Sequence, residues 1–310
     1  MKRIYLYVLI ILCFSFAVKA QEVTLNTPTG DIYGTLLQPE NNPQKILVIL
    51  HQGSGPTDRD GNQTLMKNNS LKMLAEELAD NGIATLRYDK RGIAASRAAA
   101  IHEEDMRFND LVEDLKGWIE KMNSSYDFEK IIVAGHSEGS LIGMLACINN
   151  PLTDKYISIA GVGRSADEVL LTQLAAQGPG VEEMVKPYLQ SLKNGDTISN
   201  VPASLATLFR PSVQPYIISW FKYNPAKEIA KLNIPVLIVQ GNTDIQVSIT
   251  EAEILHDAAE GSQIVVIKNM NHVLKTCKST EIKQQMETYA DPELPLSKKF
   301  RKTVVHFILE

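Results

Sequence analysis

The stretch Lys130-Ile131-Ile132-Val133-Ala134-Gly135-His136-Ser137-Glu138-Gly139 decides how this chain folds, because ten residues join a strand, a turn and a helix. Lys130 to Ala134 is a short apolar run of the kind buried on both faces of a parallel sheet. After Gly139, Leu141, Ile142, Met144 and Leu145 recur at helical spacing. Between the two, Ser137 stands at the apex of a turn for which the glycines at 135 and 139 leave room. Such a turn holds a hydroxyl in a strained, exposed geometry and points the amides of the next helix at the space above it.

Outward from this turn, similar strand signals alternate with helical patterns. An opening pair, Glu22–Asn26 and Asp31–Gln38, reads as antiparallel across Pro28-Thr29-Gly30. Buried-strand signals follow at Lys45–His51, Ala84–Tyr88, Lys130–Ala134, Tyr156–Ala160, Pro235–Gln240 and Gln263–Lys268. Amphipathic helices are expected at about Ser70–Asn81, Arg107–Met122 and Gly139–Asn149. This alternation predicts an α/β chain with a mostly parallel central sheet flanked by helices, with ligands at the carboxyl ends of the strands.

The rhythm breaks at about 164–231, where nearly seventy residues separate two strands that should be consecutive. Helical pieces are expected there at Ser165–Ala176, Val181–Lys193, Pro202–Leu208 and Pro211–Tyr223, forming an inserted cap over the strand ends. Phe209, Tyr216, Trp220, Phe221 and Tyr223 either wall a substrate pocket or pack the cap on the main body.

A serine hydroxyl needs a base, and an imidazole serves only if a third group fixes its tautomer. Asp244 follows the strand Pro235–Gln240 in Gly241-Asn242-Thr243-Asp244, and His272 follows Gln263–Lys268 in Asn269-Met270-Asn271-His272. Both fall on the sheet edge that carries Ser137, in the order Ser137, Asp244, His272 expected of a nucleophile-elbow hydrolase. His51, His102, His136, His256 and His306 fit the base role less well.

A developing oxyanion needs two amides, one from the residue after the nucleophile, here Glu138. The second is expected from the glycine-rich turn His51-Gln52-Gly53-Ser54-Gly55-Pro56-Thr57-Asp58-Arg59-Asp60-Gly61, with Ser54 the best donor and Gly53 one register away. A phosphate loop is the rival, but the lysine and hydroxyl that should follow its second glycine are missing.

The ends and the composition bound the rest. Met1 to Ala20 reads as a secretory signal, with Lys2 and Arg3, the apolar run Ile4 to Val18, and cleavage expected between Ala20 and Gln21. The run is shorter than the roughly 20 residues of a spanning helix. Leu12 is too bulky before Cys13 for a lipidation signal. Losing Lys2, Arg3 and Lys19 takes the net charge from −5 to −8, which speaks against nucleic acid or an anionic membrane as partner. Cys147 and Cys277 remain, outside any metal-ligand spacing, and are expected as buried free thiols rather than a pair.

Together, Gly53-Ser-Gly-Pro-Thr-Asp-Arg-Asp-Gly61, Tyr88-Asp-Lys-Arg-Gly92, Gly135-His-Ser-Glu-Gly139, Gly241-Asn-Thr-Asp244 and Asn271-His272 make the chain resemble α/β-hydrolases of the serine aminopeptidase-like and bacterial carboxylesterase group with an inserted helical cap. The resemblance spans essentially all of the chain after the signal. His51-Gln52-Gly53 departs from the His-Gly pair common at the start of the oxyanion loop, which leaves the donor register between Gly53 and Ser54 open. It implies a structural role for Arg91 in tying loops together, and Asp58, Arg59 and Asp60 either hold the oxyanion turn or are solvated.

The expected activity is hydrolysis of a small carboxylic ester by Ser137, His272 and Asp244, with no metal or organic cofactor. An aminopeptidase or amidase is the nearest alternative, with Glu182 and Glu183 of the cap as a conceivable amine site. A carbohydrate deacetylase and a non-catalytic binding module complete the set.

Overall fold

The computed structural model describes residues 18–40 and 42–310; residues 1–17, most of the expected signal, lie outside the described residues. Eight strands form one sheet: β1 (Val18–Thr27), β2 (Gly30–Pro39), β3 (Ile46–His51), β4 (Ala84–Tyr88), β5 (Lys130–His136), β6 (Lys155–Ile159), β7 (Val236–Gly241) and β8 (Gln263–Ile267). Their order is β1-β2-β4-β3-β5-β6-β7-β8. β1 and β2 pair antiparallel about Thr27↔Gly30, and β2 is antiparallel to β4; every other neighbouring pair is parallel.

The step from β3 out to β4 and back to β5 reverses the direction of winding. It leaves β3 and β5 adjacent, with His51 opposite Gly135. The loops that leave these two strands therefore part on either side of a crevice at the carboxyl edge, where open α/β sheets bind ligands.

Eleven α-helices are described: α1 (Ser70–Asp80), α2 (Phe108–Ser125), α3 (Glu138–Cys147), α4 (Ala166–Ala175), α5 (Val181–Asn194), α6 (Ala206–Phe209), α7 (Gln214–Trp220), α8 (Pro225–Ile229), α9 (Ile249–Ala258), α10 (Ile282–Tyr289) and α11 (Lys298–Leu309). Strand alternation sorts the core into two layers. Ile46, Val48 and Leu50 of β3 pack with Leu74 and Leu78 of α1 and Phe300 and Val304 of α11. Leu47 and Ile49 point the other way, into a layer with Leu115, Trp118 and Ile119 of α2, Ile142 of α3 and Leu255 of α9. Each such side chain stabilises the fold by roughly 1.5–3 kcal/mol. Among the described residues no helix is long and apolar enough to cross a membrane.

Three sequence expectations need correction. Gln263–Lys268 was expected as a buried strand, but β8 is the edge of the sheet, lacks a second strand neighbour, and leaves Val266 exposed. Pro202–Leu208 is not one helix: a 3-10 turn at Ala203–Leu205 leads into the single turn α6. Pro211–Tyr223 likewise divides into a 3-10 turn, Pro211–Val213, and α7.

Between β6 and β7, α4 to α7 close on a small apolar cluster of their own, including Val185, Leu189, Leu192, Phe209, Ile217 and Phe221. The insertion is anchored on Phe108 at the start of α2, which Trp220 stacks upon at 5.8 Å and 4° between planes. Tyr216 and Tyr223 tilt against the same ring. Its neck is closed, with the Ala226 amide donating to the Gly163 carbonyl at 3.1 Å. The buried Glu251 accepts from the Gly163 and Arg164 amides and from the Arg164 guanidinium. Cys147 and Cys277 are buried and unpaired, and burial pushes the Cys147 thiol up to about 12, which keeps it protonated.

Candidate active site

Ser137 follows the last residue of β5 and precedes α3, with φ 55° and ψ −122°. A non-glycine residue held there costs on the order of 1–3 kcal/mol, so the surroundings must enforce it. They do so by close packing. A Cβ on Gly135 would lie 2.1 Å from the Gly139 carbonyl oxygen, and one on Gly139 would lie 2.5 Å from that of Gln52. The Ser137 amide donates to the Ile159 carbonyl at 2.9 Å, tying the turn to β6.

Asp244 lies past the end of β7 with its carboxylate fully buried. Oδ1 accepts from the amides of Gln246 at 2.8 Å and Val247 at 3.0 Å. Oδ2 accepts from Gln240 Nε2 at 3.1 Å and meets His272 Nδ1 at 2.8 Å. Burial alone would raise its carboxyl; the imidazole and the amides outweigh burial and hold it below the usual range. With Nδ1 engaged, Nε2 is the ring nitrogen His272 has free. Ser137 and His272 both border one cavity of about 130 Å³, together with Gly53, Ser54, Gln246 and Tyr289.

The two loops that carry Asp244 and His272 are stitched together. Thr243 Oγ1 shares its one proton between the carbonyls of Met270 and Cys277, at 2.9 and 2.8 Å. The Asn269 amide donates to Asn242 Oδ1 at 2.6 Å. Gly241 sits where they cross, and a Cβ there would be 2.0 Å from the Met270 oxygen. His136 donates from Nε2 to the His272 carbonyl at 2.8 Å. Burial and the neighbouring imidazole push the His136 ring down to about 3, so it is a neutral prop for the His272 backbone.

The glycine-rich turn after β3 lies against the nucleophile: a Cβ on Gly53 would be 3.1 Å from Ser137 Cβ. Its conformation is set by Lys90, a buried side chain whose Nζ donates to the Gly53 carbonyl at 2.6 Å and the Gly55 carbonyl at 2.9 Å. Since a trans peptide turns its C=O and N–H to opposite sides, the Ser54 N–H points away from Lys90. Asp58 accepts the Asp60 and Asn62 amides. Arg59 spans Asp89 and Glu22, and Asp60 pairs with Arg87. Asp58, Arg59 and Asp60 thus hold the turn. Arg91 forks onto Asp114 and reaches Thr29, the loop-tying role expected of it.

A second cavity, of about 460 Å³, lies between this turn and the insertion, and Ser54 borders both cavities. Tyr216 and Trp220 line it; Phe209 and Phe221 are buried in the insertion's own cluster instead, and Tyr223 packs on Phe108 and bonds Asn109. Glu182 and Glu183, considered for an amine site, are exposed on the first turn of α5 and border neither cavity. They form a solvated face of the helix. The carboxylate in this region is Glu138, whose side chain the sequence reading passed over as a variable position of the turn motif.

The chain is similar to several known proteins. Residues 67–208 match the family described as serine aminopeptidase, S33. Esterase EstD of Thermotoga maritima is 25% identical over 286 residues, covering 87% of this chain and 64% of EstD, so the chain spans under two thirds of that relative. Est1E of Butyrivibrio proteoclasticus, solved with ferulic acid bound, superposes with a TM-score of 0.62 at 17% identity, over 93% of this chain and all of that one (100%). The Pyrococcus furiosus esterase Pf2001 gives 0.57 at 14% identity, over 95% and 91% of the two chains. A proline iminopeptidase of Mycobacterium smegmatis gives 0.58 at 15%, over 93% and 98%.

Proposed function

We propose that this chain, an α/β-hydrolase by fold, is a serine hydrolase that cleaves carboxylic esters. The observation that carries the reading is the 2.8 Å bond from His272 to the buried Asp244, beside the cavity that the strained Ser137 also borders. EstD, Pf2001 and Est1E, esterases by name, support the same class.

In this reading Ser137 Oγ attacks the ester carbonyl carbon and passes its proton to His272 Nε2. Asp244 fixes the tautomer and stabilises the imidazolium. The Ser54 and Glu138 amides hold the oxyanion; Ser54 is favoured over Gly53 because Lys90 draws the Gly53 carbonyl to the other side. Collapse expels the alcohol, which takes the proton from His272, and leaves an acyl-serine. Water then attacks, again deprotonated by His272, and the carboxylic acid departs as Ser137 recovers its proton. The helical insertion at about 164–231 serves as a cap over the site. Cleavage after Ala20 would trim Val18–Ala20 from β1 and release an exported, periplasmic or secreted enzyme.

Ser137→Ala is expected to abolish hydrolysis of a short-chain aryl acetate and labelling by a fluorophosphonate. Undiminished turnover in that variant overturns the assignment, and an unlabelled wild type favours a binding module. The match to the serine aminopeptidase family keeps an amidase in view. Faster cleavage of an amino-acid arylamide than of the aryl acetate would decide for it.

A further inference from the structure

The cavity beneath the insertion has an unusual floor. Its walls are largely apolar, from Ile93, Met106 and Leu111 on the main body and Leu208, Val213 and Trp220 on the insertion. At about 460 Å³ it falls within the range of small-molecule sites, about 300–1,000 Å³. Into it projects Glu138, only 7% exposed. Tyr216 donates its hydroxyl to Glu138 Oε1 at 2.8 Å. Among the described residues Tyr216 is the hydrogen-bond donor to the Glu138 carboxylate, and the nearby Lys90 is turned to the Gly53 and Gly55 carbonyls. Oε2 is thus left open to the cavity as an acceptor that a ligand donor can meet.

The charge of the wall narrows the ligand. Three cations border the cavity, Lys90, Arg91 and Arg210. Arg91 is matched by Asp114 and Arg210 by Glu103, which leaves Lys90 and Glu138 to balance each other. A cationic guest would disturb that balance, and an anionic one would meet the Glu138 carboxylate without a free cation to receive it.

We infer that this cavity selects an uncharged, mainly apolar substrate group that carries a hydroxyl, whose O–H donates to Glu138 Oε2. The inference rests on the ester-hydrolase reading, and it makes Glu138 a specificity residue through its side chain as well as an oxyanion donor through its backbone. Tyr216, which comes from the insertion, fixes the rotamer of the carboxylate and so which oxygen is offered.

The test uses the full-length enzyme and two matched panels. One holds ethyl esters of 3-phenylpropanoic acid, bare or with a hydroxyl at the 2-, 3- or 4-position of the ring. The other holds acetates of 3-phenylpropanol with the same substitutions. In the wild type, one hydroxyl position in one panel is expected to raise kcat/KM over the bare parent about 10- to 100-fold. The ratio is expected to shrink in Glu138→Gln and to vanish in Glu138→Leu, and general loss of activity cancels from it. A ring aminomethyl group, cationic at neutral pH, is expected to lower kcat/KM below the parent. Hydrolysis with no hydroxyl preference, a preference that survives in Glu138→Leu, or a preference for the cation overturns this inference alone. Absence of hydrolysis across both panels overturns the ester reading and this inference with it.

Discussion

Replacing Lys90 with methionine removes the ammonium that sets the loop proposed to hold the oxyanion, while keeping most of the side-chain volume. Opposing effects on stability follow, and loss of the ammonium also leaves the buried Glu138 without its balancing charge, so that burial raises its carboxyl further and favours the neutral acid. The Gly53 and Gly55 carbonyls, bonded to Nζ at 2.6 and 2.9 Å, lose their donor, at roughly 1–3 kcal/mol each. Against this, burial lowers Lys90 from 10.5 to about 8, so keeping it charged at neutral pH costs about 3 kcal/mol, which Lys90→Met recovers. The fold should therefore survive. Catalysis should not, because the Gly53–Ser54 peptide is no longer held. Loss of one oxyanion donor costs about 10²–10³ in kcat, and a partly misdirected donor about tenfold or more. KM should stay within about threefold, since the amide grips the tetrahedral oxygen more than the ground-state carbonyl. The assay is steady-state hydrolysis of an aryl acetate beside urea unfolding. A folded Lys90→Met enzyme whose kcat lies within twofold of wild type refutes the clamp. The unfolding data carry a second signature. Between pH 8 and 10.5 the unfolded chain keeps the lysine proton that the folded chain has lost, so wild type should gain stability relative to Lys90→Met as pH rises through that window.

Two further outcomes follow from other contacts. His51 and His136, which burial pushes to about 3, stay neutral in the fold while the unfolded chain protonates them below about 6.5. Stability should therefore fall as pH drops from 6.5 toward 3, by about 2 kcal/mol per histidine at pH 5; urea midpoints unchanged between pH 7.5 and 5 would contradict this. Gly241→Ala would drive a Cβ into the Met270 carbonyl and part the loops of Asp244 and His272. A displacement of 1 Å is expected to cost about 10²-fold in kcat, with about 1–3 kcal/mol of stability, measured by ester kinetics and thermal unfolding.

Much of this architecture is legible in the chain because it is encoded locally. The sheet strands announce themselves as apolar runs between turn residues, and Ser137, Asp244 and His272 each stand a few residues beyond one. What the sequence hides is what depends on through-space partners. Lys90 looks like any lysine of a loop until the fold carries it against Gly53 and Gly55. The preference for Ser54 over Gly53 as the proposed oxyanion donor rests on that contact. Glu138 occupies a position of the turn motif that tolerates any side chain, so nothing marked it until Tyr216 met it from 78 residues away in sequence. α10 is hidden for a different reason: it buries only Gln285 and Tyr289, too few for a periodic apolar stripe. Glu182 and Glu183 drew attention by charge alone, and solvent claimed them.

The closed neck at Gly163 and Ala226 has an evolutionary consequence. Ser137, Asp244, His272 and Lys90 all hang from the sheet, whereas the wall from Thr207 to Trp220 belongs to the insertion. In the proposed reading the bond is broken by residues of the sheet edge, while one side of the wall that meets the substrate is written in a separable length of chain. An exchange of the insertion at its neck would leave the reaction intact while replacing the clientele. Tyr216 on Glu138, Arg210 on Glu103 and Tyr223 on Asn109 all cross that seam, and of these the Tyr216 hydroxyl lies in the cavity wall, where a lineage changing its substrate would be expected to rewrite first.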